Sequence, residues 1–274
     1  MKNILKGYWA ILLFVGITVN AQNFQGKAVY QTKTTFDLKL DSTRVTPEQQ
    51  KRIEARMKDM LENVYELDFN TSTSLYKKEE KLAQPGQSGG RNFMGSLDGG
   101  ELYKDTKSRT FIQAQDLMGK LFLVKDSLTM LEWEFKDDSK IIGKHLCFKA
   151  TAKKTVANNQ FSFGRRSSQN DDKPKDSLKI IEVVAWYTPE IPVSHGPGEY
   201  WGLPGLILEI NADKTQIVCT KIVINPKDKA EIKAPKKGTE VGQKEFEEIR
   251  TKKMKEMREM FNSRRRDGPG GRGH

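Results

Sequence analysis

Alternation of charged and less polar side chains opens the structured part of the chain. In residues 27–40, Ala28, Tyr30 and Phe36 share one face of an extended chain, while lysines and Asp37 occupy the other. A period of two residues is typical of a strand with one buried face, so we predict a half-buried β-strand here.

The pattern changes to a helical one in residues 46–64. Thr46 suits the cap of a helix, Pro47 suits its first position, and Gln49 completes a capping box. The apolar positions that follow are Ile53, Met57, Met60, Leu61 and Val64. Their spacing forms one stripe, which predicts a helix that packs one face on a sheet.

Further strand signals follow at short intervals, with no helical pattern between them. They lie around residues 65–76, 101–114, 120–124, 131–135, 141–152, 179–187, 206–211 and 216–224. This spacing predicts a mainly β (α+β) fold, an antiparallel meander that forms an open barrel or strongly curved sheet. One helix is inserted after the first strand, and an amphipathic helix follows the sheet.

The domain organisation follows from changes in composition. We predict a β-rich domain in residues 22–226, a charged linker with prolines in 227–242, an amphipathic basic helix in 243–262 and a disordered Arg/Gly tail in 263–274. The formal net charge is +11, and the C-terminal segment is rich in lysine and arginine.

The N-terminus has the composition of a signal peptide. Lys2 and Lys6 precede an apolar run over residues 8–19, and small residues lead up to Ala21. We expect cleavage near Ala21 and a periplasmic or secreted protein. Export argues against a nucleic-acid partner, although the arginine run of 264–266 resembles an RNA-binding segment.

The two cysteines, Cys147 and Cys219, both fall in predicted strands. In an exported chain this arrangement predicts a disulfide between them, and the alternative is two half-buried free thiols. By alternation Cys147 shares a face with His145 and Lys149, so a free thiol at this position is expected to be exposed.

The segment "GPGEYWGLPGLILEI" in residues 196–210 concentrates glycine, proline and aromatic residues ahead of a strand. Gly202 and Gly205 allow backbone conformations closed to other residues, and Pro204 fixes a dihedral angle between them. We call residues 195–207 the corner. It is predicted either to form the rim of a ligand site or to be purely structural. The candidate residues are His195, Glu199, Tyr200, Trp201, Gly202, Leu203, Pro204, Gly205, Leu206 and Ile207.

Candidate chemistry near the corner is sparse. His195 and Glu199 flank a Gly-Pro-Gly turn, so a metal-assisted hydrolase that uses this pair is one hypothesis. No third catalytic group can be named, and no zinc-ligand spacing or phosphate-binding loop is found. We therefore expect no catalytic residues, no metal and no cofactor.

The corner carries a resemblance to a known family. Gly202 to Ile207 spell GLPGLI, preceded by "WYTPEIPVSHGPGEYW" and, earlier, "GKHLCFKATA". This pattern is similar to the signature of the GLPGLI family of exported bacterial proteins, over residues 143–226. The resemblance implies a β-rich fold, a periplasmic or secreted location and no established catalytic residues.

These features favour an exported, non-catalytic binding protein of the cell envelope. Its expected ligand is a hydrophobic small molecule or lipid on a concave sheet face. The alternative is an accessory protein that docks on an outer-membrane protein or a membrane surface through the basic C-terminal helix.

Overall fold

The computed structural model describes residues 24–35, 46–52, 61–79, 100–157 and 178–266. The predicted signal peptide therefore lies outside the described residues. The strands are β1 Gln25–Thr34, β2 Glu62–Asn70, β3 Thr73–Lys78, β4 Leu102–Asp105, β5 Thr110–Leu117, β6 Lys120–Ser127, β7 Glu134–Ile142, β8 His145–Ala157, β9 Leu178–Thr188, β10 Leu206–Ala212, β11 Thr215–Ile224 and β12 Thr239–Val241. Residues 47–52 and residue 61 are helical, and the C-terminal helix is Gln243–Arg266.

All twelve strands belong to one open sheet, in the order β12-β6-β5-β4-β3-β2-β1-β11-β10-β9-β8-β7. Neighbours are antiparallel except β12, which pairs with β6 in parallel. The order contains two meanders, β1 to β6 and β7 to β11, joined by the pairing of β1 with β11. The predicted β-rich fold is confirmed.

The connection between the two meanders shows that the sheet is strongly curved. Ten strand spacings separate β6 from β7, which would be about 48 Å in a flat sheet. Residues 128–133 make the connection, and a chain of this length reaches about 25 Å at most. The sheet must therefore curl until β6 and β7 approach each other.

The core lies on one face of this sheet. Tyr30, Leu67, Phe69 and Ala185 are completely buried there, and we call this the inner face. The cross-strand partners of these residues, followed through β3, β4 and β5, show that Phe122 in β6 lies on the same face.

Two predicted strands in the first meander prove to be hairpins. Residues 65–76 contain the turn between β2 and β3, where the Asn70 side-chain oxygen accepts hydrogen bonds from the backbone N–H groups of Ser72 and Thr73 at 2.9 and 2.7 Å. Asp105 plays the same part between β4 and β5 by accepting from the backbone N–H groups of Lys107 and Ser108. Neither turn contains glycine or proline, so the two strands of each hairpin merge in the sequence pattern.

The predicted capping box is confirmed. The Gln49 side chain accepts from the Thr46 N–H at 3.0 Å, and the Thr46 hydroxyl accepts from the Gln49 N–H at 3.3 Å. Most of the predicted apolar stripe, over residues 53–60, lies outside the described residues. Val64, which was predicted to continue the stripe, lies in β2 instead.

The C-terminal region is more ordered than predicted. The segment predicted as a linker contains β12, which extends the edge of the sheet beside β6. The predicted helix is present and continues to Arg266, so the first residues of the predicted disordered tail are helical; residues 267–274 lie outside the described part. None of the helices within the described ranges has the length and apolarity needed to cross a membrane.

Both cysteines are free thiols in the structure. Cys147 lies in β8 and Cys219 in β11, with β9 and β10 between them, so about 14 Å of sheet separates two residues that a disulfide would need within about 7 Å. The structure thus contains no disulfide. The prediction that a free Cys147 thiol would be exposed is wrong. Cys147 is 0% exposed, whereas the neighbouring Leu146 is 44% exposed.

The thiols are expected to react slowly in the native protein. Burial raises the pKa of the Cys147 thiol to about 11 and that of Cys219 to about 12, so little thiolate forms at pH 8. Titration with a disulfide reagent should give two thiols per chain in non-reducing denaturant and almost none in the native state. Zero thiols in denaturant would instead show that the predicted disulfide forms.

Candidate functional site

The corner belongs to a segment, residues 189–207, that leaves the sheet after β9 and returns to it at β10, over the inner face. This segment folds back on itself through backbone hydrogen bonds from the Leu206 N–H to the Ile191 oxygen and from the Ile207 N–H to the His195 oxygen, both 3.0 Å. Its side chains that are 8% exposed or less include Ile191, Val193, His195, Tyr200, Trp201 and Leu203. The predicted rim therefore fills the interior, which favours the structural alternative.

Glycine is required at two positions of this fold. Gly202 has a φ angle of 94°, in the region that favours glycine. At Gly205 a Cβ atom would lie 2.2 Å from the backbone oxygen of Thr188. Pro204, between them, joins these two constrained positions, and Leu206 and Ile207 then enter β10 completely buried.

Trp201 ties the corner to the connection between the two meanders. Its indole N–H donates to the Thr129 oxygen at 3.0 Å, and the Trp133 indole N–H donates back to the Trp201 oxygen at 2.9 Å. Tyr200 and Trp201, the aromatic candidates for a ligand-site rim, are both buried.

A buried lysine in β4 also holds the corner in place, by hydrogen bonds to its backbone oxygens. Lys104 in β4 is completely buried, and its ammonium donates to the backbone oxygens of Gly196, Gly198 and Tyr200 at 2.9, 2.6 and 3.3 Å. Three acceptors match the three N–H bonds of an ammonium group. Burial lowers the pKa of Lys104 to about 7, while the Glu199 carboxylate acts in the opposite direction.

The sequence analysis missed Lys104, although a signal was present. Leu102 and Lys104 are two residues apart and therefore share a face of the strand. A lysine on the apolar face of a strand indicates either that the core ends there or that the lysine itself is buried. Because β4 and β5 were treated as one strand, this alternation was not used.

His195 is completely buried between the corner and β2. Its Nε2 lies 3.0 Å from the Asn70 backbone oxygen, which can only accept, so Nε2 carries the proton. Its Nδ1 has no hydrogen-bond partner among the described residues. Burial, reinforced by the positive charge of Lys104, lowers the pKa of His195 to about 3, so the ring is neutral at pH 7.

The structure does not bring His195 and Glu199 together. Glu199 forms an ion pair with Lys154 at the surface, while His195 faces Asn70. Glu190 pairs with His145 instead, at 2.6 Å. Within the described ranges, no group of three His, Cys, Asp or Glu side chains is placed to hold a metal ion. These contacts give no support to the hydrolase hypothesis.

A polar cluster connects β10, β9 and β7. Glu209 in β10 accepts from Lys140 and Asn211, each at 2.7 Å, and the Lys140 ammonium lies 4.3 Å from the centre of the Trp186 ring. Burial alone would raise the pKa of Glu209, but these hydrogen bonds outweigh it and lower the pKa. The cluster is internally satisfied, so it is best explained as a structural network.

An uncovered apolar surface remains at the β7 edge. Phe135, Ile141 and Leu146 are 62, 73 and 44% exposed. Register places them on one face, because Ile141 lies opposite Leu146 and Phe135 opposite Ala150. Tyr187 contacts the rings of Phe135 and Phe148, with ring centres 6.2 and 6.3 Å apart. We call Phe135, Ile141, Leu146, Phe148 and Tyr187 the edge patch.

The edge patch was not predicted from the sequence. Ile141, Leu146 and Phe148 were assigned to one strand over residues 141–152, whereas the chain turns at residues 143–144 between β7 and β8. Folding these residues back as a hairpin brings Ile141 and Leu146 side by side. Continuous alternation along a single strand would have separated them.

Comparison with known proteins finds a family match, which covers the strands around the edge patch and the corner. The model of a family described as "Protein of unknown function (Porph_ging)" matches residues 133–209, which contain β7, the edge patch and the corner. The resemblance to the GLPGLI family stays a prediction, because the matched family carries another description. No curated protein matches the chain.

Two solved structures of PNGF-II, in space groups C2 and P21, are similar in fold. Each has a TM-score of 0.47 and 14% sequence identity, and the aligned parts cover 84 and 82% of this chain. They cover 33 and 32% of the PNGF-II chains, so this chain spans about a third of their length.

Proposed function

We propose that this is an exported, non-catalytic binding protein that holds an apolar or amphipathic small molecule or lipid at the edge patch. The observation that carries the proposal is the patch itself, in which three large, exposed apolar side chains lie together on one face. Single exposed apolar residues are normal at a protein surface, but contiguous ones are typical of binding sites.

The position of the patch suits a ligand site. The face that carries it is the inner face, since Phe148 and Ala150 lie opposite Tyr187 and Ala185. The corner fills that face farther along the sheet, so a ligand would lie beside the corner rather than beneath it. Phe135 offers a largely uncovered ring, and Tyr187 and Phe148 support it from the buried side.

The groups near the corner support binding rather than catalysis. His195 is neutral and enclosed, Lys104 is bound to three carbonyl oxygens, and Glu199 is paired with Lys154. Acid–base catalysis needs titratable groups that converge on a substrate, and these groups are directed to separate partners. The N-terminal sequence supports export.

The edge patch is expected to bind an apolar fluorescent probe, and the double variant Phe135→Ser/Ile141→Ser should bind it at least about tenfold more weakly. Burying one such side chain contributes roughly 1.5–3 kcal/mol, which is a tenfold or larger effect. Fluorescence titration measures the affinity, and mass spectrometry of gently purified protein identifies any hydrophobe that copurifies.

A matched control is the double variant Leu178→Ser/Ile180→Ser, which removes two exposed apolar side chains from β9. It should bind the probe like the unmodified protein. Equal loss in both double variants would show unspecific adsorption. Unchanged binding in the edge-patch variant, with its fold intact by circular dichroism, would refute the proposed site.

A further inference from the structure

Among the described side chains, the contacts between the C-terminal helix and the sheet lie in the first turns of the helix. Phe246 is buried against Phe122, with ring centres 5.5 Å apart, and Ile249 packs on the same cluster. The Asp126 carboxylate accepts from the Gln243 N–H at 3.2 Å, which anchors the first turn. These contacts set the position and direction of the rest of the helix.

Beyond these contacts, Arg250 and Lys253 interrupt the side of the helix that packs on β6, and two methionines follow on the same side. At 100° per residue, Met257 and Met260 fall within about 40° of Phe246 around the helix, as Ile249 does within about 60°. Met260 is 54% exposed, whereas Phe246 at the start of the same stripe is buried. The packing face of the helix therefore ends in a short methionine stripe, in which Met257 is half-buried and Met260 is exposed.

The same part of the helix is strongly basic. Residues 250–266 contain eight lysines and arginines and two glutamates, a net charge of 8 − 2 = +6. One of these cations, Lys253, is paired with Glu256 at 2.8 Å. Lys252 and Lys255 are exposed and lie away from the methionine stripe. The segment thus combines an apolar stripe with a cationic surface.

We propose that residues 250–266 bind the surface of an anionic lipid bilayer, with the helix in the plane of the interface. Met257 and Met260 would enter the boundary between headgroups and acyl chains, and Lys252 and Lys255 would contact anionic headgroups. A helix with one apolar stripe and basic flanks is suited to this position. The apolar stripe distinguishes this surface from one built for nucleic acid, which needs the cations alone. The proposal is independent of the edge patch.

The test uses the full mature chain and sedimentation with vesicles. Vesicles of phosphatidylcholine with 30% phosphatidylglycerol should bind the protein, and pure phosphatidylcholine should bind it at least about tenfold more weakly. One basic residue near an anionic surface contributes about fivefold in partitioning. Lys252→Glu/Lys255→Glu should therefore reduce binding by at least about 25-fold, and Met257→Ser/Met260→Ser by about tenfold.

The matched control is Lys227→Glu/Lys236→Glu, which changes net charge equally at exposed positions between β11 and β12. It should reduce binding no more than about threefold. Three outcomes would overturn the proposal. They are equal loss of binding in the two charge variants, equal binding to both kinds of vesicle, and binding to RNA but to neither kind of vesicle. Thermal unfolding of each variant checks that the sheet is intact. The four residues substituted in the helix lie beyond the contact of Phe246 with β6, so their replacement should leave the unfolding temperature of the sheet unchanged.

Discussion

Replacing Lys104 with methionine is expected to lower the free energy of unfolding by about 3–5 kcal/mol at pH 7. Methionine keeps most of the buried stem but removes the ammonium group. The oxygens of Gly196, Gly198 and Tyr200 then lose a common donor inside the protein. Buried acceptors without a donor are costly, and here all three belong to the corner. Denaturant unfolding followed by tryptophan fluorescence measures the loss.

The matched control is Lys154→Met, which removes the surface ion pair with Glu199. Such a pair contributes less than about 1 kcal/mol, so this variant should be close to the unmodified protein. Similar losses for both substitutions would mean that the three carbonyl contacts do not stabilise the corner.

The Lys104 effect should depend on pH. The pKa of Lys104 is about 7 in the folded protein and near its usual 10.5 when unfolded. Between these values the unfolded chain binds more protons, so this group makes the folded state more stable as pH rises, and contributes no pH dependence below about pH 7. The difference between the unmodified protein and Lys104→Met should therefore grow by roughly 2 kcal/mol from pH 7 to 9. A difference that shrinks over this range would contradict the assignment.

Gly205→Ala is expected to cost about 3 kcal/mol or more, or to prevent folding. The added methyl group would lie 2.2 Å from the Thr188 oxygen and 2.9 Å from the Pro189 nitrogen, and both are backbone atoms of the strand end that the corner must leave. Side-chain movement cannot relieve such a contact. The midpoint and slope of denaturant unfolding distinguish a less stable fold from a different one.

Gly198→Ala serves as the comparison within the same corner. Its φ angle is 54°, but an added Cβ would meet nothing within 4 Å. The cost is the left-handed backbone conformation alone, about 1 kcal/mol. If the two substitutions had equal effects, close approach at Gly205 would not be what requires glycine there.

Local patterns predicted local structure well. The alternation around Tyr30 and the capping box of Thr46 and Gln49 both appear as expected, because each depends on residues close in sequence. The stiffness of the corner was also predicted from its glycines and proline. The sequence did not decide between a ligand-site rim and a structural role, because Lys104, which binds the corner, is 92 residues from Gly196 along the chain.

Misplaced turns account for the other errors. Asn70 and Asp105 form tight turns with their side chains, so the pattern shows no break where the chain reverses. Treating residues 141–152 as one strand hid the pairing of Ile141 with Leu146, and with it the edge patch. The burial of Cys147 was missed because alternation assigns a residue to a face but does not show what covers that face.

The joining of the two meanders through β1 and β11 has a consequence for how the chain folds. Gly26 must pair with Ile224, and the Val29 oxygen accepts a hydrogen bond from the Thr220 hydroxyl, which is 191 residues away in the sequence. The entropy of closing so long a loop is lost before the contact stabilises anything, so this step is intrinsically slow. Until it occurs, each meander presents an unpaired strand to its surroundings. A chain emerging N-terminus first therefore carries β1 as an open edge until almost all of the sheet has appeared, and that interval is when it is most prone to pair with another chain.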